Sequence, residues 1–177
     1  MIKRFVIALA SMLLAAHASA ANKVQVHTAS GLLEGVQKQI RSSDGASRSI
    51  NVFKGVPYAQ PPLGALRWRQ PQEPRWEGVY QAKEVALPCL QVTPEDGRPN
   101  GAGVSGPSSE DCLYLNIWAP ADAKNAPVML WLYGGGGIAG SGHVPAYHGD
   151  AFARDGVVLV TINYRLGALG GFAHPAL

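Results

Sequence analysis

The pattern of apolar and polar positions changes near Cys112. Before it, short β-like pieces alternate with turn residues, which is typical of antiparallel strands that expose one face. The pattern predicts a small antiparallel meander over three pieces: Val24 to Thr28, Leu32 to Gln37, and Ile50 to Phe53. From Val56 to Pro74 the prolines are too dense for a helix or an inner strand, so this stretch is predicted to be irregular surface chain.

Three strongly apolar runs follow: Leu113 to Trp118, Val128 to Tyr133, and Val157 to Asn163. Continuous apolar runs of this kind are typical of strands buried on both faces. Between the last two runs only Asp150 to Arg154 has room for a short helix, because glycines and a proline interrupt the residues before it. The order of elements predicts an α/β fold in which the meander leads into the first strands of a mostly parallel central sheet.

Residues 1–20 have the layout of a secretory signal peptide. Lys3 and Arg4 precede an apolar run from Phe5 to Ala16, and the small residues Ala18 to Ala20 follow. The run is shorter than the roughly 20 residues that cross a bilayer as a helix, so we expect no membrane anchor. Cleavage after Ala20 predicts a secreted or periplasmic protein.

Removal of this leader changes the meaning of the net charge. It takes away two of the fifteen basic residues and none of the twelve acidic ones, so the formal net charge falls from +3 to +1. The remaining Lys and Arg residues form no run or stripe of the kind that binds phosphate backbones, and we expect no nucleic-acid partner. An apolar content of 47% is ample for the core of one domain.

Export also bears on the two cysteines, Cys89 and Cys112. In an oxidising compartment such a pair more often forms a disulfide than a metal site or a catalytic thiol. The segment between them, residues 90–111, is rich in Gly, Pro and Ser and contains no aromatic residue, so burial alone would hardly order it. We predict a disulfide that closes this segment, with two unrelated buried thiols as the alternative.

The most informative stretch is a glycine run, Tyr133 to Gly142, directly after the second apolar run. Successive glycines let the backbone adopt positive φ and present its N–H groups to a phosphate or an oxyanion. A dinucleotide-type G-x-G-x-x-G match with a downstream acid is present: Gly135, Gly137, Gly140 and Asp155. However, the proline and glycines that follow prevent the helix that this fingerprint must open. Oxyanion stabilisation in acyl transfer is therefore favoured.

Five segments, in the same order, resemble the type-B carboxylesterase and cholinesterase family. They are Gly55 to Ala59, Leu63 to Trp68, Ser109 to Trp118, the glycine run, and Thr161 to Gly170. The resemblance implies an α/β-hydrolase fold and a serine hydrolase of small-molecule carboxylic esters, with no cofactor and no metal.

The resemblance also assigns roles to individual residues. It places part of the oxyanion hole on the backbone N–H groups of Gly135 and Gly136. It implies that Cys112 is disulfide-bonded with Cys89 as its partner, in agreement with the argument from export. It further implies a structural ion pair between Arg67 and Glu110, which has no direct catalytic meaning.

The sequence lacks the nucleophile of such an enzyme. A hydrolase of this class needs G-x-S-x-G, then an acid, then a histidine. The nearest match, Gly103 to Pro107, has a proline in place of the last glycine. We therefore expect residues 21–177 to be the N-terminal part of a single α/β-hydrolase domain, incomplete and inactive by itself. The alternative is a non-catalytic binding or adhesion domain of the same family.

Two departures from common patterns limit the site further. The family usually has Phe after its three glycines, whereas this chain has Gly137, so a wider pocket is expected there. Cholinesterases hold a quaternary ammonium on a tryptophan of the disulfide segment, which has no counterpart here, so choline esters are not expected as substrates. His143 and His148 share no helical face because Pro145 lies between them, which argues against a metal site.

Overall fold

The computed structural model describes residues 22–42 and 44–173, and seven strands of this part form one sheet. In chain order the strands are β1 Asn22–Thr28, β2 Gly31–Arg41, β3 Ser47–Pro57, β4 Val79–Gln81, β5 Tyr114–Pro120, β6 Val128–Trp131 and β7 Val158–Ile162. The helical pieces are short: α1 Asp150–Arg154, α2 Gly167–Gly171, and the 3-10 turns Gly64–Leu66 and Pro145–Tyr147. None of the described helices is long and apolar enough to cross a membrane. The predicted signal peptide lies outside the described residues.

The N-terminal strands form the predicted antiparallel meander. β1 pairs with β2, and β2 pairs with β3, both antiparallel. Leu33 of β2 and Phe53 of β3 are buried in one apolar cluster. β4, which the sequence did not predict, pairs with β2 in parallel. The register of β3 shifts between Phe53 and Val56, where Gly55 has a φ of +63° and donates its N–H to Asn116 Oδ1 at 3.0 Å.

The sheet order is β1-β2-β3-β5-β7-β6, with both kinds of pairing in its central part. β6 and β7 are parallel, as predicted, but β5 runs antiparallel to β7 and to β3. The reason is connection length, since a parallel crossover needs a dozen or more residues. Residues 121–127 are too few and reverse the chain, whereas residues 132–157 suffice for the crossover from β6 to β7. The α/β class is confirmed, and the described part of the sheet is mixed.

The prediction that all three apolar runs are buried on both faces is wrong for β6. Val128 is 67% exposed and Leu130 55% exposed, whereas Trp118 on β5 is fully buried. β6 lies at the edge of the sheet, and within the described residues no strand pairs with its outer side. α1, which has the predicted bounds, covers the sheet near β5 and β3 and buries Ala153. The glycine run begins where β6 ends.

Candidate active site

The glycine run forms a tight turn immediately after β6. The carbonyl oxygen of Gly135 accepts hydrogen bonds from the N–H groups of Ile138 and Ala139, both at 3.2 Å. Gly135, Gly136 and Gly137 have φ angles of +133°, +64° and +71°, which side chains disfavour. A Cβ at position 135 would overlap the Ala139 carbonyl oxygen, whereas one at 136 would meet nothing within 4 Å. Glycine is thus required at 135 by both space and φ, and at 136 by φ alone.

The turn leaves backbone donors free at the predicted oxyanion positions. Gly135 and Gly136 are exposed. In residues 22–42 and 44–173, no hydrogen bond is donated by the N–H of either glycine. In some turn conformations, successive backbone N–H groups form a concave site that binds a negatively charged oxygen. The arrangement can therefore stabilise an oxyanion without moving any hydrogen-bonded group.

The start of the turn is fixed by a pair of tyrosines. Tyr133 and Tyr164 stack with ring centroids 4.3 Å apart and planes inclined by 10°. Each phenol donates to the other's carbonyl: Tyr133 Oη to Tyr164 O at 3.2 Å, and Tyr164 Oη to Tyr133 O. Burial raises the pKa of both phenols, so both remain protonated donors at neutral pH. A second contact holds the turn itself, since Gly167 donates its N–H to Gly137 O at 2.7 Å.

The residues after the turn are held by Asn163 at the end of β7. Its Oδ1 accepts from Ser141 Oγ at 3.0 Å and from the Gly142 N–H at 2.9 Å. Ser141 Oγ in turn accepts the His143 N–H at 3.0 Å. Asn163 is fully buried, and buried polar groups that are hydrogen-bonded to one another hold the backbone rigidly. This role of Asn163 was not predicted from the sequence, although a polar residue at the carboxyl end of a strand beside the glycine run is a usable signal.

The structure joins Cys89 and Cys112 by a disulfide, as predicted, with a Cα–Cα distance of 5.0 Å. Both cysteines are buried in one cluster with Tyr133 and Leu166. The disulfide therefore belongs to the same apolar cluster as Tyr133, the residue at the start of the glycine turn.

Arg67 and Glu110 are also brought together. Arg67 donates through Nε to Glu110 Oε2 at 2.8 Å and through Nη2 to Oε1 at 2.9 Å. The ion pair is partly solvent-exposed. It links Arg67 to Glu110 of the disulfide segment and is not part of the glycine turn.

The two histidines considered for a metal site have separate surroundings. His143 is buried, and its Nδ1 lies 2.6 Å from the Ala86 carbonyl oxygen, so Nδ1 carries the proton. His148 packs its ring on Trp118 with centroids 5.4 Å apart. Burial lowers the pKa of both imidazoles. Within the part of the chain that the structure describes, no group of three His, Cys, Asp or Glu side chains could hold a metal ion.

The serine of the incomplete elbow match is not arranged as a nucleophile. Ser105 lies in the disulfide segment on an exposed loop, not on a turn between a strand and a helix. Among the described residues its hydroxyl makes no hydrogen bond to a histidine.

Comparisons with known proteins identify the family to which the chain is similar. The model of the carboxylesterase family matches residues 22–175. The chain is 46% identical over 158 residues to the fumonisin B1 esterase of Sphingopyxis macrogoltabida, which covers 88% of this chain and 27% of that protein. It is 44% identical over 135 residues to the cholinesterase of Mus musculus, which covers 72% of this chain and 22% of that protein.

A solved structure supports the same relationship. The Geobacillus stearothermophilus carboxylesterase matches with a TM-score of 0.64 and 38% identity, over 82% of this chain and 27% of that one. The chain thus spans about a quarter of the length of the relatives it matches. The family match over residues 22–175, together with the glycine turn and the disulfide, shows that the chain belongs to the carboxylesterase family.

Proposed function

We propose that the protein containing this chain hydrolyses small-molecule carboxylic esters, and that Gly135 and Gly136 supply part of its oxyanion hole. The observation that carries the proposal is the pair of free, exposed N–H groups on a turn fixed from several sides. Membership of the carboxylesterase family supplies the reaction class. No cofactor is part of the proposal.

The chemistry assigned to the turn is electrostatic. When a nucleophile attacks an ester carbonyl, negative charge develops on the carbonyl oxygen, and the two N–H groups donate to it. Because they are already oriented and unpaired, no protein hydrogen bond has to break at that moment. Each such donor is worth about 3 to 4 kcal/mol of transition-state stabilisation.

The nucleophile is assigned to a different part of the protein. The 177 residues contain no G-x-S-x-G segment, and a triad of serine, acid and histidine is what the reaction class requires. We propose that the chain by itself is inactive and contributes only the oxyanion donors and their supports.

A groove next to Gly135 bears on the ester that is bound. Its volume is about 360 Å³, and Val92, Ile138 and Ala139 line it together with Gly135. Val92 is 89% exposed and Ile138 69% exposed, so both offer apolar surface to a bound molecule. This supports esters with an apolar group of moderate size. The name of the fumonisin B1 esterase relative is consistent with a small-molecule ester.

We also propose that the protein is secreted or periplasmic. The Lys3-Arg4 start and the apolar run after it support export, although they lie outside the described residues. The disulfide Cys89–Cys112 supports an oxidising compartment independently. N-terminal sequencing of the exported protein should find chains that begin at Ala21.

One experiment tests the catalytic proposal. The chain to Leu177 and the complete coding sequence are expressed in parallel, and each is assayed for p-nitrophenyl acetate hydrolysis with and without a serine-directed organophosphate. We expect turnover only from the complete protein, and we expect the inhibitor to abolish it. Inhibitor-sensitive turnover by the chain to Leu177 would overturn the assignment of the nucleophile, and an inactive complete protein would overturn the ester hydrolase.

A further inference from the structure

Gln91 links the disulfide segment to the end of the glycine turn. Its Nε2 donates to the Gly140 carbonyl oxygen at 2.8 Å, and its Oε1 accepts the Gly140 N–H at 2.8 Å. The side-chain amide therefore satisfies both backbone groups of one residue, as a neighbouring strand would. Among the described residues, the N–H and the carbonyl oxygen of Gly140 make no backbone–backbone hydrogen bond.

The amide of Gln91 is itself held in place. Its Nε2 also donates to Cys89 O at 3.0 Å, and its Oε1 also accepts from Asn100 Nδ2 at 3.0 Å. Asn100 Oδ1 accepts the N–H groups of Ala102 and Val104 at 3.0 Å and 3.1 Å. The amide orientation is thus fixed by four hydrogen bonds, and the disulfide anchors the segment two residues before it.

Gly140 lies next to the residue that closes the glycine turn, so a displacement of its backbone also displaces the turn. It is buried with a φ of +123°, and a Cβ there would overlap the Tyr133 ring. Gly140 directly follows Ala139, whose N–H bonds to Gly135 O. A shift of Gly140 therefore moves the residue that closes the turn around the proposed oxyanion donors.

We propose that Gln91 is a positioning residue that sets the geometry of the Gly135 and Gly136 N–H groups through Gly140. This inference rests on the proposed ester hydrolysis. Gln91 does not touch the reacting atoms, and it acts by closing the open end of the turn. The tyrosine pair and Gly167 fix the start and middle of the turn, and Gln91 fixes its end.

The test uses the protein expressed from its complete coding sequence. Gln91→Met keeps the side-chain length and removes all four hydrogen bonds, and Gln91→Glu keeps an acceptor for the Gly140 N–H while placing an anion against two carbonyl oxygens. Gln72→Ala is the matched control, because Gln72 is exposed and, among the described residues, its amide donates only to the nearby Gln70 carbonyl oxygen at 3.0 Å. The measurements are kcat and KM for p-nitrophenyl acetate, the inhibition constant of a trifluoromethyl ketone, and the urea midpoint.

For both Gln91 variants we expect kcat to fall about tenfold to a hundredfold, because misplacement of reacting groups by about 1 Å can cost about a hundredfold. KM should change less than about twofold, since the turn stabilises the transition state and not the bound ester. The inhibition constant of the ketone should rise by the same factor as kcat falls, because its adduct places an oxyanion in the same hole. Gln72→Ala should match the wild type in every measurement.

Several results would overturn the inference. One is an unchanged kcat in a folded Gln91→Met protein. Another is a fall in kcat with no change in the ketone inhibition constant, since the loss would then arise away from the oxyanion. If Gln91→Met shifts the urea midpoint strongly, Gln91→Glu decides, because its carboxylate keeps an acceptor for the Gly140 N–H but cannot donate to Gly140 O. A ketone inhibition constant equal to that of the wild type in Gln91→Glu would overturn the inference. A wild-type protein without ester hydrolysis would instead refute the proposed function, so the two failures are distinguishable.

Discussion

Substitution of alanine at successive positions of the glycine turn should give very unequal effects. Gly135 needs glycine for two reasons, because its φ is +133° and because a Cβ would overlap the Ala139 carbonyl oxygen. Gly136 has a φ of +64° but open space around its Cβ position. Gly134 has open space and no positive φ, which makes Gly134→Ala the matched control.

The magnitudes follow from these contacts. Gly135→Ala must move the Ala139 carbonyl, which opens the turn and weakens two hydrogen bonds to Gly135 O, each worth about 0.5 to 1.5 kcal/mol. The unfavourable φ adds a cost on the order of 1 to 3 kcal/mol. Gly136→Ala keeps its N–H and costs only the left-handed conformation, about 1 to 2 kcal/mol. Gly134→Ala should cost less than about 0.5 kcal/mol, as for surface substitutions in general.

The assay is kcat for p-nitrophenyl acetate in the complete protein, with the free energy of unfolding measured in urea for each variant. We expect Gly135→Ala to lose about a hundredfold or more in kcat, as for removal of one oxyanion donor. Gly136→Ala should lose at most about thirtyfold in kcat, because its cost is at most about 2 kcal/mol and about 1.4 kcal/mol corresponds to tenfold. If Gly135→Ala retained the kcat of Gly134→Ala, or if Gly136→Ala were the more damaging of the two, the assignment of space and φ at the turn would be wrong.

Three further predictions concern the supports of the site. The double variant Cys89→Ala/Cys112→Ala should lower the free energy of unfolding in urea by roughly 3 kcal/mol, because the disulfide closes a loop with a sequence separation of 23. An unchanged urea midpoint would contradict this prediction. Arg67→Ala should cost no more than about 1 kcal/mol, because the ion pair with Glu110 is partly exposed and screened, and the loss should shrink in high salt. Burial lowers the pKa of His143 in the folded state. The contribution of His143 to stability is therefore complete above the unfolded pKa of about 6.5 and is lost as pH falls toward the folded pKa. His143→Gln should flatten that part of the curve of unfolding free energy against pH, and a curve parallel to that of the wild type would refute the argument.

The sequence predicted those features that depend on local pattern. The meander follows from short apolar pieces separated by turn residues, and α1 has the predicted bounds because breakers leave no other place for an α-helix between β6 and β7. The disulfide followed from the export signal and the family resemblance. For the meander and α1 a short stretch of residues carries the whole signal, so no long-range contact had to be known.

The features that were missed depend on which elements become neighbours. The antiparallel direction of β5 is set by the length of the connection to β6, and the exposure of β6 is set by its place at the edge of the sheet. Hydropathy carries neither piece of information, because it does not show which strands become neighbours in the sheet. The supports from Gln91 and Asn163 were missed for a similar reason, since each acts on a residue more than twenty positions away.

The long-range supports explain how a run of glycines can hold a defined geometry at all. Glycine loses more conformational entropy on ordering than any other residue, so four in succession would be disordered if only their own hydrogen bonds held them. The donors must nevertheless be fixed before charge develops, because an oxyanion hole that reorganises gains little. The restraint therefore has to come from outside the run, through Tyr164 and Gly167 on one side and Gln91 on the other. It follows that the same glycine run placed in a chain without these three contacts would keep the flexibility but lose the oxyanion geometry.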